Sequence, residues 1–71
     1  MDKTRLETTA YNYFTQIEHY GLAGLDSSLW VTYIQIGNEL TGKSVKVKKC
    51  ARRLKQNHTY LSDYFRKKCD T

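Results

Sequence analysis

Apolar and polar residues follow one another along this chain mostly with the period of helices. From Lys3 to Tyr20, Leu6, Ala10, Tyr13, Phe14 and Ile17 recur at i, i+4, i+7, i+8 and i+11, the stripe of an amphipathic helix. Its other face carries Thr8, Thr9, Asn12, Gln16 and His19 and belongs in water. Asp2 or Thr4 can cap the start, and Gly21 followed by Leu22 suits the end. A linker, LAGLDSS, with Asp26 or Ser27 as the next N-cap, leads into a second segment ending near Leu40.

That second segment contains WVTYIQI, rich in β-branched and aromatic residues. A strand would put Trp30, Thr32, Ile34 and Ile36 on one face and Val31, Tyr33 and Gln35 on the other, a poor alternation, and no other strand is available to pair with it. A helix gathers Leu29, Tyr33, Ile36, Gly37 and Leu40 on one face with Trp30 and Ile34 beside it, so a helix is expected. TGKS then breaks the pattern: Gly42 takes positive φ to end one helix, and Ser44 caps the next. Val47, Cys50, Ala51 and Leu54 form a narrow apolar seam through residues 45–56, NHT interrupts, and Thr59 caps a last helix bearing Leu61, Tyr64 and Phe65. The spacing therefore predicts helices at about 3–20, 28–41, 45–56 and 60–68. The fold class is all-α, a small three- to four-helix bundle with a helix-turn-helix-like arrangement.

The 71 residues make one domain, near the lower limit at which a hydrophobic core alone sustains a fold. At 39% hydrophobic and 13% aromatic, the composition has enough apolar matter for that core. No apolar run is long enough to span a bilayer and the N-terminus lacks the layout of a signal peptide, so an intracellular setting is expected: the nucleus in a eukaryote, the cytoplasm or nucleoid in a prokaryote. Two cysteines, Cys50 and Cys69, are too few for a disulfide scaffold and read as reduced thiols, with Cys50 a small hydrophobe on the seam.

Residues 37–44, GNELTGKS, match the phosphate-cradling pattern G-x-x-x-x-G-K-[ST], in which loop N–H groups, a Lys and a metal-bound hydroxyl hold a nucleotide. That loop works only between a strand and a helix of a covered parallel sheet, each unit of which takes about 30 residues or more. A 71-residue chain has no room for several, and no apolar strand ending in Asp follows Ser44. Neither a nucleotide cofactor nor a small-molecule substrate is expected. His19, His58, Cys50 and Cys69 form no C-x-x-C or H-x-x-x-H pattern, so no metal is expected either, and no nucleophile and base stand in a suggestive pattern. The chain reads as non-enzymatic, without a catalytic set.

Charge gives the positive indication. Of the net +5, residues 1–41 carry Lys3 and Arg5 against five carboxylates, whereas residues 42–71 carry ten cations against Asp63 and Asp70. Between Lys43 and Lys55 lie Lys46, Lys48, Lys49, Arg52 and Arg53 with no acidic residue, whereas a face that serves only solubility usually mixes signs. A helix, a glycine turn and a basic helix are the parts of a helix-turn-helix, whose second helix enters the major groove. The partner expected is double-stranded DNA, with Lys46, Lys49, Arg52 and Arg53 reaching groove edges and Lys43, Ser44, Lys48 and Lys55 reaching phosphates. Arg66, Lys67 and Lys68 add backbone contacts.

The stretch YIQIGNELTGKSVKVKKCARRLK resembles the second and third helices of Myb/SANT-like domains, including the MADF subgroup. In that family an aromatic is followed at +3, +4 and +7 by an apolar, a small and a leucine-like residue, then a G-K/R-S/T turn, then C-x-x-R and a bulky apolar residue. Tyr33, Ile36, Gly37 and Leu40 match the first part, Gly42, Lys43 and Ser44 the turn, and Cys50, Arg53 and Leu54 the last. Tyr33 and Leu54 stand where the family has tryptophan. The resemblance implies a three-helix DNA-binding fold and a role in transcription regulation, although SANT-type relatives bind histone tails or other proteins instead. A helical protein-interaction module is accordingly the alternative, using the basic face on an acidic partner or a patch of Tyr11, Trp30 and Tyr60 for a protein partner or a homodimer. RNA binding through stacked tyrosines comes third.

Overall fold

The computed structural model describes residues 3–69. Three helices account for most of them: α1 (Lys3–Tyr20), α2 (Ser27–Thr41) and α3 (Ala51–Cys69), with a single 3₁₀ turn at Leu22–Gly24 after α1. No strand occurs among the described residues, and the chain is an all-α bundle.

The first two helices stand where the spacing predicts. Ala10 and Ile17 of α1 are buried, with Leu6, Tyr13 and Phe14 packed beside them. Thr4 lies inside the first turn and is not the cap, and Asp2 lies outside the described residues. The Gly21 N–H closes α1 on the Ile17 carbonyl at 2.7 Å. Asp26 caps α2 by accepting from the Ser28 N–H at 3.2 Å, and Leu25 just before it is buried while its carbonyl accepts from the Trp30 indole at 2.9 Å. The WVTYIQI stretch is helical throughout, with Tyr33, Ile34 and Ile36 buried. Gly42 ends α2 in the left-handed conformation at φ 73°, its N–H bonded to the Asn38 carbonyl.

Beyond Gly42 the structure departs from the expected helices 45–56 and 60–68. Residues 42–50 form a segment without helix, and one continuous helix, α3, replaces both expected ones. Ser44 is therefore not a helix cap, and Val47 is exposed rather than part of a seam. The cause of the first change is Asn38. Its side-chain amide donates to the Val45 carbonyl at 2.9 Å and accepts from the Val45 N–H at 3.1 Å, so both backbone groups of a buried Val45 are taken up across the turn. Crowded like charges and β-branched Val45 and Val47 would also oppose a helix there.

The cause of the second is Asn57. Polar residues in NHT look like a break, yet Asn57 is fully buried against α2, its amide donating to the Tyr33 carbonyl at 3.2 Å. Its neighbour His58 stacks on Phe14 of α1 with centroids 4.5 Å apart. The buried face of α3 thus runs Leu54, Asn57, Leu61 and on to Tyr64 and Phe65, an uninterrupted helical stripe with an amide in its middle. Among the described residues no helix is long and apolar enough to cross a membrane.

Candidate nucleic-acid interface

Two elements carry the cations expected to bind DNA. Lys43, Ser44, Lys46, Lys48 and Lys49 lie on the segment 42–50, and Arg52, Arg53 and Lys55 on the first turns of α3. All eight are exposed except Arg53, which is half-buried. The segment is anchored at one end by Gly42 on α2 and in the middle by the Asn38 pair to Val45, so its lysines are presented from a pinned backbone.

The segment and α3 enclose a cleft of about 290 Å³ lined by Lys43, Ser44, Val45, Lys46, Arg53, Gln56 and Tyr60. Arg53, Gln56 and Tyr60 follow one another along α3: the Arg53 guanidinium donates to Gln56 Oε1 at 3.4 Å, and Gln56 Nε2 donates to the Tyr60 hydroxyl at 3.3 Å. The Lys43 ammonium stands 5.3 Å from the centre of the Tyr60 ring. Gln56 and Tyr60 were not among the expected site residues. Their i, i+3, i+7 spacing with Arg53 is the signal, and the apparent break at NHT hides it.

Arg66 is not brought to this cluster, and Lys67 only borders it, lining with Asp63 a neighbouring cleft that shares Lys43 and Tyr60. Arg66 and Lys67 follow Arg52 by fourteen and fifteen residues on one helix, which places them ~21 Å farther along its axis. Both pair with Asp63 of the same helix, at 3.8 and 3.3 Å, and Lys68 pairs with Glu7 of α1. By contrast, none of the seven cations from Lys43 to Lys55 takes part in an ion pair among the described residues.

Cys50 immediately precedes α3, with its carbonyl accepting the Leu54 N–H at 2.9 Å. Backbone N–H groups of Arg53 and then Arg52 face its sulfur and, with their guanidinium charges, hold the thiol below its ordinary range. It is half-buried at a helix start, not the core hydrophobe its spacing suggested.

The three aromatics that would make a protein-binding patch are engaged separately. Tyr11 packs on Phe14 and Phe65, Trp30 bonds to Leu25, and Tyr60 lies under Lys43.

No family model, curated protein or solved structure matches this chain.

Proposed function

We propose that the chain is a non-enzymatic, double-stranded DNA-binding domain of helix-turn-helix type that serves transcription regulation. The observation that carries this reading is the set of seven cations from Lys43 to Lys55, gathered on a pinned segment and two helical turns with no carboxylate paired to them among the described residues. Cations without protein counterions attract a polyanion, and releasing its condensed ions drives binding.

α2 acts as the supporting helix and α3 as the reader, entered from its N-terminal end as in other helix-turn-helix modules. Lys48, Lys49 and Arg52, nearest the start of α3, are the groove contacts. Arg53 turns toward Lys43 and Lys46, so it joins Ser44 and Lys55 in holding the backbone. The resemblance of residues 33–55 to Myb/SANT-like domains implies the same division of labour through its matches on α2 and α3, although the segment 42–50 is longer than the G-K-S turn of that family. The tyrosine-patch form of a protein-interaction module has less support, since Tyr11, Trp30 and Tyr60 each have their own neighbours.

The test is an amide-shift titration with mixed-sequence duplex DNA at two salt concentrations, with single-stranded RNA in parallel. Shifts confined to residues 43–55 that weaken as salt rises are expected. Tighter binding of the RNA, or shifts elsewhere on the chain, would overturn the reading.

A further inference from the structure

We infer that the cleft between the segment 43–46 and α3 is a preformed subsite for one phosphate group. The inference rests on the DNA-binding reading only for the source of that phosphate, a phosphodiester of the nucleic-acid backbone.

Three features argue for it. Lys43, Lys46 and Arg53 supply positive charge to a space of about 290 Å³, while Ser44, Gln56 and Tyr60 supply neutral donors, so every polar lining side chain can donate a hydrogen bond. Among the described residues no carboxylate lines it. Three other clefts on the surface each contain one: Glu39 beside Arg5, Glu7 beside Lys68, and Asp63 beside Lys67. The last of these shares Lys43 and Tyr60 with the proposed subsite, so an anion meeting this surface finds one side of Lys43 already supplied with negative charge and the other side not.

The walls are also held before any ligand arrives. Val45 is buried and fixed by the Asn38 amide, Gln56 restrains the guanidinium of Arg53, and the Tyr60 ring lies beneath Lys43. The fork of Arg53 retains N–H donors beyond the one given to Gln56, enough for two oxygens of one phosphate. Donors fixed in place lose little freedom on binding.

The experiment has two arms on the whole chain. In the first, inorganic phosphate is titrated against a chloride control of equal ionic strength while the backbone amides of residues 43–46 and the side-chain amide of Gln56 are followed by NMR. In the second, duplex DNA binding is measured over a range of salt for Arg53→Gln, Lys46→Gln and, as a control outside the cleft, Lys55→Gln, with thermal melts confirming that each variant folds. Phosphate should shift the cleft resonances in the parent and not in Arg53→Gln, and Arg53→Gln should weaken duplex binding about tenfold, more than Lys55→Gln does. Shifts with phosphate but no duplex binding would overturn the DNA reading and leave the subsite standing. Duplex binding with no phosphate shift in the cleft, and with Arg53→Gln and Lys55→Gln equivalent, would overturn the subsite and leave the DNA reading standing.

Discussion

Asn57 of α3 lies so close over Gly37 of α2 that a methyl group at residue 37 would collide with the whole of its amide. The Asn57 amide nitrogen bonds to the Tyr33 carbonyl one turn earlier on α2, and its oxygen Oδ1 is buried with no hydrogen-bond partner among the described residues. Glycine at 37 therefore serves the helix crossing, not a turn. Gly37→Ala gains up to ~1 kcal/mol of helix propensity, but the collision should more than cancel it, for a net loss of about 1–3 kcal/mol in urea unfolding. Because both residues occupy one space, Gly37→Ala combined with Asn57→Ala should be less damaging than the sum of the two single changes. Additive losses would show that the close approach does not matter.

Tyr33 joins all three helices through its hydroxyl, which lies 2.9 Å from His58 Nδ1, while His58 Nε2 lies 3.3 Å from Glu18. Burial first, and the Glu18 charge second, push the Tyr33 phenol well above its usual range. The folded state then keeps this proton at a pH where the unfolded state has lost it. Stability should fall as pH rises above about 10, by up to ~1.4 kcal/mol per pH unit from this group, until the folded pKa is reached. Below that window the group contributes no pH dependence. Absorbance at 295 nm should show one of the six tyrosines titrating late. Tyr33→Phe should remove this share of the alkaline loss and cost about 1 kcal/mol at neutral pH.

GNELTGKS has an explanation in these contacts. Gly37 admits Asn57, Asn38 holds Val45, Leu40 is core, Thr41 accepts from the Lys43 N–H, and Gly42 ends α2. The periodic stripes of α1 and α2, and the glycine at the end of α2, were legible because core burial and backbone conformation depend on nearby sequence. Asn38 and Asn57 were not, because each is explained by a residue on another element or across a turn. Read locally, Asn57 breaks a helix and Val45 joins one; paired with Gly37 and Asn38, they do the reverse. The cations of the candidate site were visible as a run, but Gln56 and Tyr60 come beside Lys43 only once α3 is continuous.

Removing the Asn38 amide should release the segment while leaving the bundle. Asn38→Ala takes away both hydrogen bonds to Val45 and should cost about 1–3 kcal/mol, with buried backbone groups of Val45 left unpaired. The informative readout is hydrogen exchange. Protection should fall at Val45 and its neighbours more than at Leu54 or Leu61 in the core. A uniform loss along the chain would mean that the segment and the bundle unfold as one unit.

Cys50 should react as a thiolate at lower pH than an ordinary cysteine. In a Cys69→Ser background, the rate of iodoacetamide alkylation against pH should have its midpoint lower in the folded chain than in the chain unfolded by urea. The sign for stability follows: the folded state releases the proton first, so stability from this group rises with pH across the window between its lowered pKa and the unfolded value near ~8.5. It is lost as pH falls through the lowered pKa. Cys50→Ser keeps an acceptor for the Arg52 and Arg53 N–H groups and should be tolerated better than Cys50→Ala. Coincident alkylation midpoints would remove the electrostatic account.

The ends of α3 should differ in their effect on duplex binding. Arg52 lies among cations with no paired carboxylate, so Arg52→Gln should reduce affinity and lower the slope of log affinity against log salt by about 0.9 for each phosphate it no longer neutralises, or relax base preference where it reads a base. Arg66 and Lys67 share Asp63, and that carboxylate offsets part of the positive field they present. Exposed pairs of this kind are worth little to stability, at most ~1 kcal/mol, so the double change Arg66→Gln and Lys67→Gln should leave the fold intact and the salt slope nearly unchanged. Asp63→Asn discriminates further: it unmasks both cations, and should raise non-specific affinity only if the DNA extends along α3 to that end. Anisotropy titrations at several salt concentrations measure all three. An equal fall in slope for Arg52→Gln and for the double change would extend the interface over the full length of α3.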